Sequence, residues 1–221
     1  MKYFNILTFS VFISLIQGDK VAVTTKVIGL VEIMPVGKDI FLNLKPGTIL
    51  ADGDRIRTGS SGFTAIIFID DKSTLKLKEN SEATINGQRS ARSIAKKINM
   101  DVGTIRATVN KQNSNFVIQT PTSVASVKGT DFWMITNPVD GDLVIGLEGV
   151  VLLTNNETGS EVDVTEGTSG ISTPDGDVAV GETEESSVPD DPTDQEGQQS
   201  EIKIYFEGPN GEQKVLIIDY Q

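Results

Sequence analysis

The most constraining feature of the sequence is the stretch 115–135, where three short apolar segments are separated by two turn signals. Residues 116–118 end at a Thr-Pro break, and a Lys-Gly-Thr corner separates residues 123–127 from residues 131–135. The last segment holds Trp133, the only tryptophan, and is apolar on both faces. This pattern predicts three strands in succession, of which the last is buried on both sides.

The same alternation of strand and turn runs from residue 26 onward, with hardly a helical period. Residues 26–34 predict a strand with a bulge at Gly29, and residues 63–69 predict a strand buried on both faces. Residues 74–78 alternate strictly, which is typical of a half-exposed strand. We therefore predict an all-β domain over residues 19–180, mostly antiparallel and folded as a sandwich or roll.

Gly-Thr pairs recur at residues 47, 103 and 167, with spacings of 56 and 64 residues. Each pair precedes an Ile-x-Thr triplet, so the pattern is consistent with a duplicated β-unit and some β-solenoid character. Chance recurrence of so short a motif stays open as the alternative.

The composition excludes several kinds of site. The chain has no cysteine and no histidine, which removes disulfides, zinc and iron–sulfur centres, thiol nucleophiles and the commonest neutral-pH base. We therefore expect no cofactor and no lipoprotein anchor built on cysteine.

The net charge of −12 is concentrated near the C-terminus. Residues 1–180 hold 17 Lys/Arg and 20 Asp/Glu, whereas residues 181–221 hold 2 and 11. Such a tail repels phosphate backbones and anionic lipid, so nucleic acid is not an expected partner.

Residues 1–18 predict a secretory signal peptide. Lys2 is followed by an apolar run interrupted by polar residues, and Gly18 is a small residue at a plausible cleavage point. The run is short and polar for a bilayer span, although an uncleaved anchor stays open. We expect a periplasmic or secreted protein with no membrane span after signal removal.

The last forty residues divide into two predicted parts. Residues 181–200 contain seven acidic residues, no basic residue and one aliphatic residue, which predicts a flexible acidic linker. Residues 201–221 predict a β-hairpin around an Asn-Gly turn. Because a lone hairpin is marginal in water, we expect it to dock on the main domain or to pair with another chain.

Several motifs, in order, resemble those of the FecR-type extracytoplasmic domain over roughly residues 23–180. The stretch 115–135, which we call the central stretch, resembles the family's TP…VRGTxF segment. Residues 53–59 resemble its GD.I.TG segment, and residues 147–151 resemble its EG.V.V ending. The family-motif positions of the central stretch, which we interpret as structural, are Thr120, Pro121, Gly129, Thr130, Asp131 and Trp133.

The resemblance implies an exported β-domain, non-enzymatic, that binds protein or envelope material. The name-giving members are inner-membrane regulators with a cytoplasmic anti-sigma segment, one membrane helix and a periplasmic sensing domain. In this chain the residues before the domain predict an export signal instead of that cytoplasmic segment and helix.

Two sets of charged residues are candidate binding sites. The dense positive cluster within residues 86–97 could bind an acidic ligand, although a solvated loop is the simpler interpretation. It consists of Arg89, Arg92, Lys96 and Lys97.

Three Asp-Gly-Asp motifs are weak calcium candidates, although Asp-Gly is also common turn chemistry. Their carboxylates are Asp52, Asp54, Asp140, Asp142, Asp175 and Asp177.

Three functions remain open from the sequence. The leading hypothesis is an exported binding or scaffolding module that engages envelope protein or polysaccharide, with self-association through the C-terminal hairpin. The second is the periplasmic sensor of a sigma/anti-sigma signalling system. The third is a glycan hydrolase using two carboxylates, for which Asp131 is the acid expected to be partly buried; the alternative is that Asp131 hydrogen-bonds the Gly129-Thr130 corner.

Overall fold

The computed structural model describes residues 18–91, 93–111, 115–193, 200–207 and 213–220. This part of the chain is built of strands, with one short 3-10 turn at Glu185–Ser187. The prediction of an all-β fold is confirmed. Residues 1–17 of the predicted signal peptide lie outside the described residues, and none of the described residues forms a helix long and apolar enough to cross a bilayer.

The described residues form nineteen strands. In chain order they are β1 (Lys20–Ile28), β2 (Val31–Met34), β3 (Leu42–Asn43), β4 (Ile49–Ala51), β5 (Asp54–Thr58), β6 (Phe63–Phe68), β7 (Thr74–Leu77), β8 (Glu82–Arg89), β9 (Ile94–Thr108), β10 (Phe116–Gln119), β11 (Ser123–Val127), β12 (Asp131–Asn137), β13 (Gly141–Glu148), β14 (Val150–Asn155), β15 (Glu161–Thr165), β16 (Thr168–Ser172), β17 (Val178–Glu182), β18 (Ser200–Glu207) and β19 (Gln213–Tyr220).

The first seventeen strands form one open sheet that folds into two layers. The first layer runs β4-β1-β6-β7-β9-β12-β13-β16-β17, and the second runs β3-β2-β5-β8-β9-β10-β11-β14-β15. Strand β9 belongs to both layers, since its first half pairs with β8 and β10 and its second half pairs with β7 and β12. Among the described strands, β9 and β10 pair in parallel and the other neighbours pair antiparallel.

Strand β9 passes between the layers by bending at Gly103. The sequence predicts two strands here, at residues 98–100 and 104–109, whereas the structure has one strand of 15 residues. Gly103 has φ +116, and a Cβ at this position would collide with Ser81. Glycine therefore allows both the bend and the close approach of the neighbouring strand.

The two layers pack face to face through an apolar core. Phe68 of the first layer and Phe116 of the second lie edge to face, with ring centroids 5.8 Å apart and an interplanar angle of 86°. Both rings are fully buried, and this geometry is the favourable one for aromatic pairs. The alternating burial of β8 and β10 shows the period of two that a one-sided strand requires.

The prediction of a single strand at residues 26–34 is wrong, because this segment contributes to two strands that lie in different layers. Strand β1 ends at Ile28, and β2 begins at Val31 after a turn at Gly29. Gly29 has φ +64, which reverses the chain rather than forming a bulge within one strand. The apolar residues on either side of the turn then point into the same core from opposite layers.

Three hairpins are present, among them the predicted one near the C-terminus. A turn joins β12 to β13 and another joins β14 to β15, at the Asn/Asp/Gly-rich sites that the sequence marks. Near the C-terminus β18 and β19 pair antiparallel from Ser200 opposite Tyr220 to Glu207 opposite Gln213. Docking of this hairpin, or its self-association, stays a prediction.

The described part of the predicted acidic linker is folded onto the first layer. Strand β17 extends to Glu182 on β16, the 3-10 turn follows, and Asp191 is buried with ion pairs to Lys76 and Arg106. Composition alone predicts flexibility for residues 181–193 because they have too few apolar groups. The structure orders them with charged contacts instead, while the division of the chain into domains stays a prediction.

Candidate functional site

A groove of about 630 Å³ opens on the second layer, where β8, β9 and β10 lie side by side. Amide and cationic side chains dominate the part of its lining contributed by these strands and by the residue just before β10. They are Asn86, Gln88, Arg89, Lys97, Asn115 and Gln119. Amides both donate and accept hydrogen bonds, so this surface suits a polar ligand of mixed character.

Strand alternation and register bring these side chains together. In β8 the residues that alternate with buried Ala83, Ile85 and Gly87 face outward. Asn86 is half-buried on this face, and Gln88 is exposed. Lys97 stands opposite Asn86 on one side and Val117 on the other. The groove is therefore a direct product of the pairing of three consecutive strands, β8 and β9 antiparallel and β9 and β10 parallel.

The segment 86–97, which the sequence predicts to be a solvated loop, is a β-hairpin. Strand β8 continues to Arg89, and β9 begins at Ile94 after a turn closed by the Ser90 N–H donating to the Ser93 carbonyl at 2.8 Å. The local sequence is too polar to predict a strand. Pairing of residues 86–89 with residues 94–97, and of β9 with β10 from Lys96 onward, supplies the hydrogen bonds of the segment.

The predicted basic cluster is divided by this hairpin. Arg89 is exposed beside the groove and donates to the Lys20 carbonyl at 2.8 Å, and Lys97 is exposed within it. Lys96 points to the opposite face, where its ammonium is buried between Asp70 and Asp71 at 3.0 Å from each. Arg92 lies outside the described residues. Two of the four predicted cations are therefore presented together to solvent.

Acidic residues limit the positive charge of the groove. Asp19 and Asp52 line one part of it, and Asp52 accepts a hydrogen bond from the Gly87 N–H at 2.9 Å. A Cβ at Gly87 would lie 2.5 Å from Val21, so glycine is needed for the close packing of β8 on β1. The groove thus has cations and carboxylates on a rigid strand frame.

The three Asp-Gly-Asp motifs form turns. Their glycines Gly53, Gly141 and Gly176 have φ values of +90, +95 and +98, which favour glycine strongly. Asp54 accepts hydrogen bonds from the Val36 and Ala51 N–H groups at 2.9 and 2.8 Å. Among the described residues, no three potential metal ligands gather at one point.

One of these aspartates, Asp142, is a buried acid that joins the central stretch to β13. Its carboxylate accepts hydrogen bonds from the hydroxyls of Thr120 and Ser123, and Thr120 also accepts the Ser123 N–H at 2.8 Å. Burial raises the pKa of Asp142, and the hydroxyl hydrogen bonds only partly offset it. The Thr-Pro motif thereby closes the β10–β11 turn and fixes it to β13.

The remaining motif residues define the corner before β12. Gly129 has φ +76, and Thr130 exchanges two backbone hydrogen bonds with Val109, at 2.7 and 3.1 Å. Asp131 does not cap this corner as the sequence suggests. It forms a two-pronged ion pair with Arg106, with N–O distances of 3.0 and 2.9 Å.

Trp133 is buried on the side of β12 that faces away from the interlayer core. It is 1% exposed, yet it is absent from the core cluster that includes its neighbours Phe132 and Met134. The guanidinium of Arg106 and the ammonium of Lys78 lie 5.8 and 6.0 Å from its ring centroid. Sequence reasoning anticipated the burial of Trp133, but it missed the cations Lys78 and Arg106 beside its ring. It also missed Asp191, which pairs with Lys76 and Arg106.

The fold and groove define a class of protein, a two-layered β-domain with a polar strand surface open to solvent. A family model described as FecR protein matches residues 54–168, and the chain belongs to that family. The match begins at the first residue of β5 and ends at the first residue of β16, so it includes the groove strands and the central stretch.

Solved structures share part of this fold. A crystal structure of a candidate anti-sigma factor from Parabacteroides distasonis ATCC 8503 superposes with a TM-score of 0.50 and 15% identity. The alignment covers 58% of this chain and 59% of that chain, so the likeness spans little more than half of that protein. A second structure of a candidate anti-sigma factor from the same organism superposes with a TM-score of 0.48 and 16% identity. This alignment also covers 58% of this chain and 59% of that chain. No curated protein matches the chain significantly.

Proposed function

We propose that this protein is the extracytoplasmic sensor domain of a sigma/anti-sigma signalling system and that it acts by binding a partner protein. Its membership of the FecR family over residues 54–168 carries this proposal. The partial fold shared with a candidate anti-sigma factor from Parabacteroides distasonis supports it further. Export through residues 1–18 into the periplasm is part of the same proposal.

The groove on β8, β9 and β10 is the proposed contact surface. Its frame is held by strand pairing, because β9 and β10 are each paired on both sides and β8 pairs with β9 along the groove and with β5 up to Ile85. Arg89 and Lys97 provide positive charge, and the neighbouring amides provide donors and acceptors. A surface with this chemistry fits a protein segment that carries carboxylates and backbone carbonyls.

We further propose that the domain is not an enzyme. Asp131, the acid that the hydrolase hypothesis depends on, is held by Arg106 on the outer face of the first layer and does not line the groove. A pair of carboxylates facing one another across a cleft is what glycoside hydrolysis needs. Of the two groove carboxylates, Asp52 already accepts a hydrogen bond from the Gly87 N–H.

A scaffolding module for envelope polysaccharide is the second candidate. The observation that favours it is the density of amide side chains in the groove, since amides pair well with sugar hydroxyls. This candidate places the ligand in the same groove, so the identity of the captured molecule distinguishes the two hypotheses.

Site-specific photocrosslinking in cells tests both the signalling hypothesis and the scaffolding hypothesis. A photoreactive residue replaces Lys97 in the full-length chain, and a matched variant carries it at Lys128, which is exposed at the β11–β12 corner outside the groove. Signalling predicts a discrete protein adduct from position 97 and none from position 128. It also predicts that Lys97→Glu, but not Lys128→Glu, changes transcription from a sigma-factor-dependent promoter. A glycan adduct with unchanged transcription would favour scaffolding, and equal capture at both positions would contradict both hypotheses.

A further inference from the structure

The segment 184–193, which we call the acidic strap, lies across the outer face of the first layer. It contains Glu184, Glu185, Asp190 and Asp191 and no basic residue. It follows directly after β17, the edge strand, and most of its residues are exposed or half-buried. Asp191 is the exception, since its side chain is 1% exposed.

Three neighbouring residues of the acidic strap make charged and polar contacts with the sheet. The Asp191 Oδ2 atom lies 2.7 Å from the Lys76 ammonium and 2.7 Å from the Arg106 guanidinium. Lys76 also donates to the Thr193 hydroxyl at 2.7 Å, and Lys78 donates to the Asp190 carbonyl at 2.9 Å. An Asp-x-Thr turn holds these groups in position, because Asp191 Oδ1 accepts hydrogen bonds from the Thr193 N–H and the Thr193 hydroxyl.

The sheet beneath the acidic strap is built to receive an anion. Lys76 and Arg106 stand directly opposite each other on β7 and β9, and like charges in that position repel. Asp131 of the next strand pairs with Arg106 and supplies one carboxylate to this pair of cations. Asp191 supplies a second carboxylate between them.

We propose that this face of the first layer is a binding site for an acidic peptide with an Asp-x-Thr motif, and that the acidic strap occupies it in the resting chain. The cognate occupant is an extended acidic segment of a partner protein, which exchanges with the strap. The contacts consist of one buried carboxylate, its threonine and a backbone carbonyl, all of which a second peptide can reproduce. The site lies on the opposite layer from the groove, so it goes beyond the proposed function and does not depend on it.

Tethering explains why the strap holds the site in the absence of a partner. A segment joined to the domain by a few residues competes at an effective concentration on the order of millimolar. Removing the strap's own carboxylate should therefore open the site to peptide in solution. Trp133 reports the change, because it is buried beside two of the three cations.

The test uses the full-length chain and a fluorescent synthetic peptide of residues 184–193. We expect the peptide to bind Asp191→Asn at least about tenfold more tightly than the wild type, a difference of about 1.4 kcal/mol. The same peptide with asparagine in place of Asp191 is the ligand control and should not bind. A second substitution, Lys76→Glu in the Asp191→Asn background, should abolish binding, whereas Lys128→Glu in that background should leave it unchanged.

Near-ultraviolet circular dichroism checks that each variant is folded. If Asp191→Asn does not fold, Thr193→Ala keeps every charge, loosens the strap and should give an intermediate gain in affinity. Failure of the peptide to bind a folded Asp191→Asn or Thr193→Ala chain would overturn the proposal. Equal binding of the aspartate and asparagine peptides would also overturn it.

Discussion

The ammonium of Lys96 lies 3.0 Å from the carboxylate of Asp70, and this ion pair joins the two layers of the sheet at one end of the core. Lys96 belongs to β9 of the second layer, and Asp70 follows β6 of the first. The Phe68 ring lies 5.2 Å from the same ammonium. A residue that the sequence offers as a ligand-binding cation thus has a structural partner inside the molecule.

Replacing Lys96 by methionine should destabilise the fold substantially. The change leaves Asp70 and Asp71 without their shared buried cation, and breaking one side of a buried ion pair costs about 3–5 kcal/mol. Lys97→Met is the matched control, because Lys97 is exposed and should change stability by less than about 0.5 kcal/mol. Urea unfolding followed by Trp133 fluorescence measures the free energy of unfolding of both variants. Similar values for the two would contradict the assignment of Lys96 to a buried ion pair.

Acid should weaken the acidic strap through Asp191. Burial opposes its ionisation, but hydrogen bonds from Lys76 and Thr193 outweigh this, so the pKa of Asp191 lies below its ordinary value of 3.8. The group therefore adds stability that is fully present above its unfolded pKa and is lost as pH falls towards the folded pKa. The stability difference between wild type and Asp191→Asn should shrink between about pH 5 and about pH 2. A difference that is constant over this range would be inconsistent with the ion pairs.

Asp142 should have the opposite pH dependence. Burial raises its pKa above 3.8, so the folded state binds a proton more readily than the unfolded state does. Stability contributed by this site then decreases as pH rises from its unfolded pKa through its folded pKa. We expect Asp142→Asn to gain stability relative to wild type as pH rises through this window. Thermal unfolding of both proteins across pH measures the trend, and a relative loss on raising pH would refute it.

The groove frame depends on the absence of a side chain at Gly87. A methyl group there would lie 2.5 Å from Val21 and 2.9 Å from Ile94, both of which are buried. Overpacking of this kind costs about 1–3 kcal/mol, so Gly87→Ala should lower the melting temperature. Gly181→Ala on β17 is the control, because no atom lies within 4 Å of its added methyl. Equal melting temperatures for the two variants would show that β8 can move away without cost.

Much of the fold could be predicted from the sequence because it depends on local alternation. The strands β10, β11 and β12 follow from the apolar segments of the stretch 115–135, and the buried strand β6 follows from its two apolar faces. Period-two patterning and turn residues depend on positions only a few residues apart, so they are recognisable in the sequence alone.

The candidate sites were harder to predict because charged side chains do not reveal their partners. Lys96 and Lys97 are adjacent, yet strand alternation buries one and exposes the other once the segment is known to be β9. Asp191 sits in a segment whose composition predicts disorder, and its partners are Lys76 and Arg106, more than eighty positions away.

The sequence by itself determined an all-β chain, its main turns and its family, since these depend on spacing between near neighbours. Only the tertiary structure decided which layer each strand joins and which charges are paired. Pairing β7 with β9 places Lys76 opposite Arg106, and the strap then brings Asp191 between them. Coulombic and hydrogen-bond energies depend on distances in space, which the order of residues along the chain does not specify.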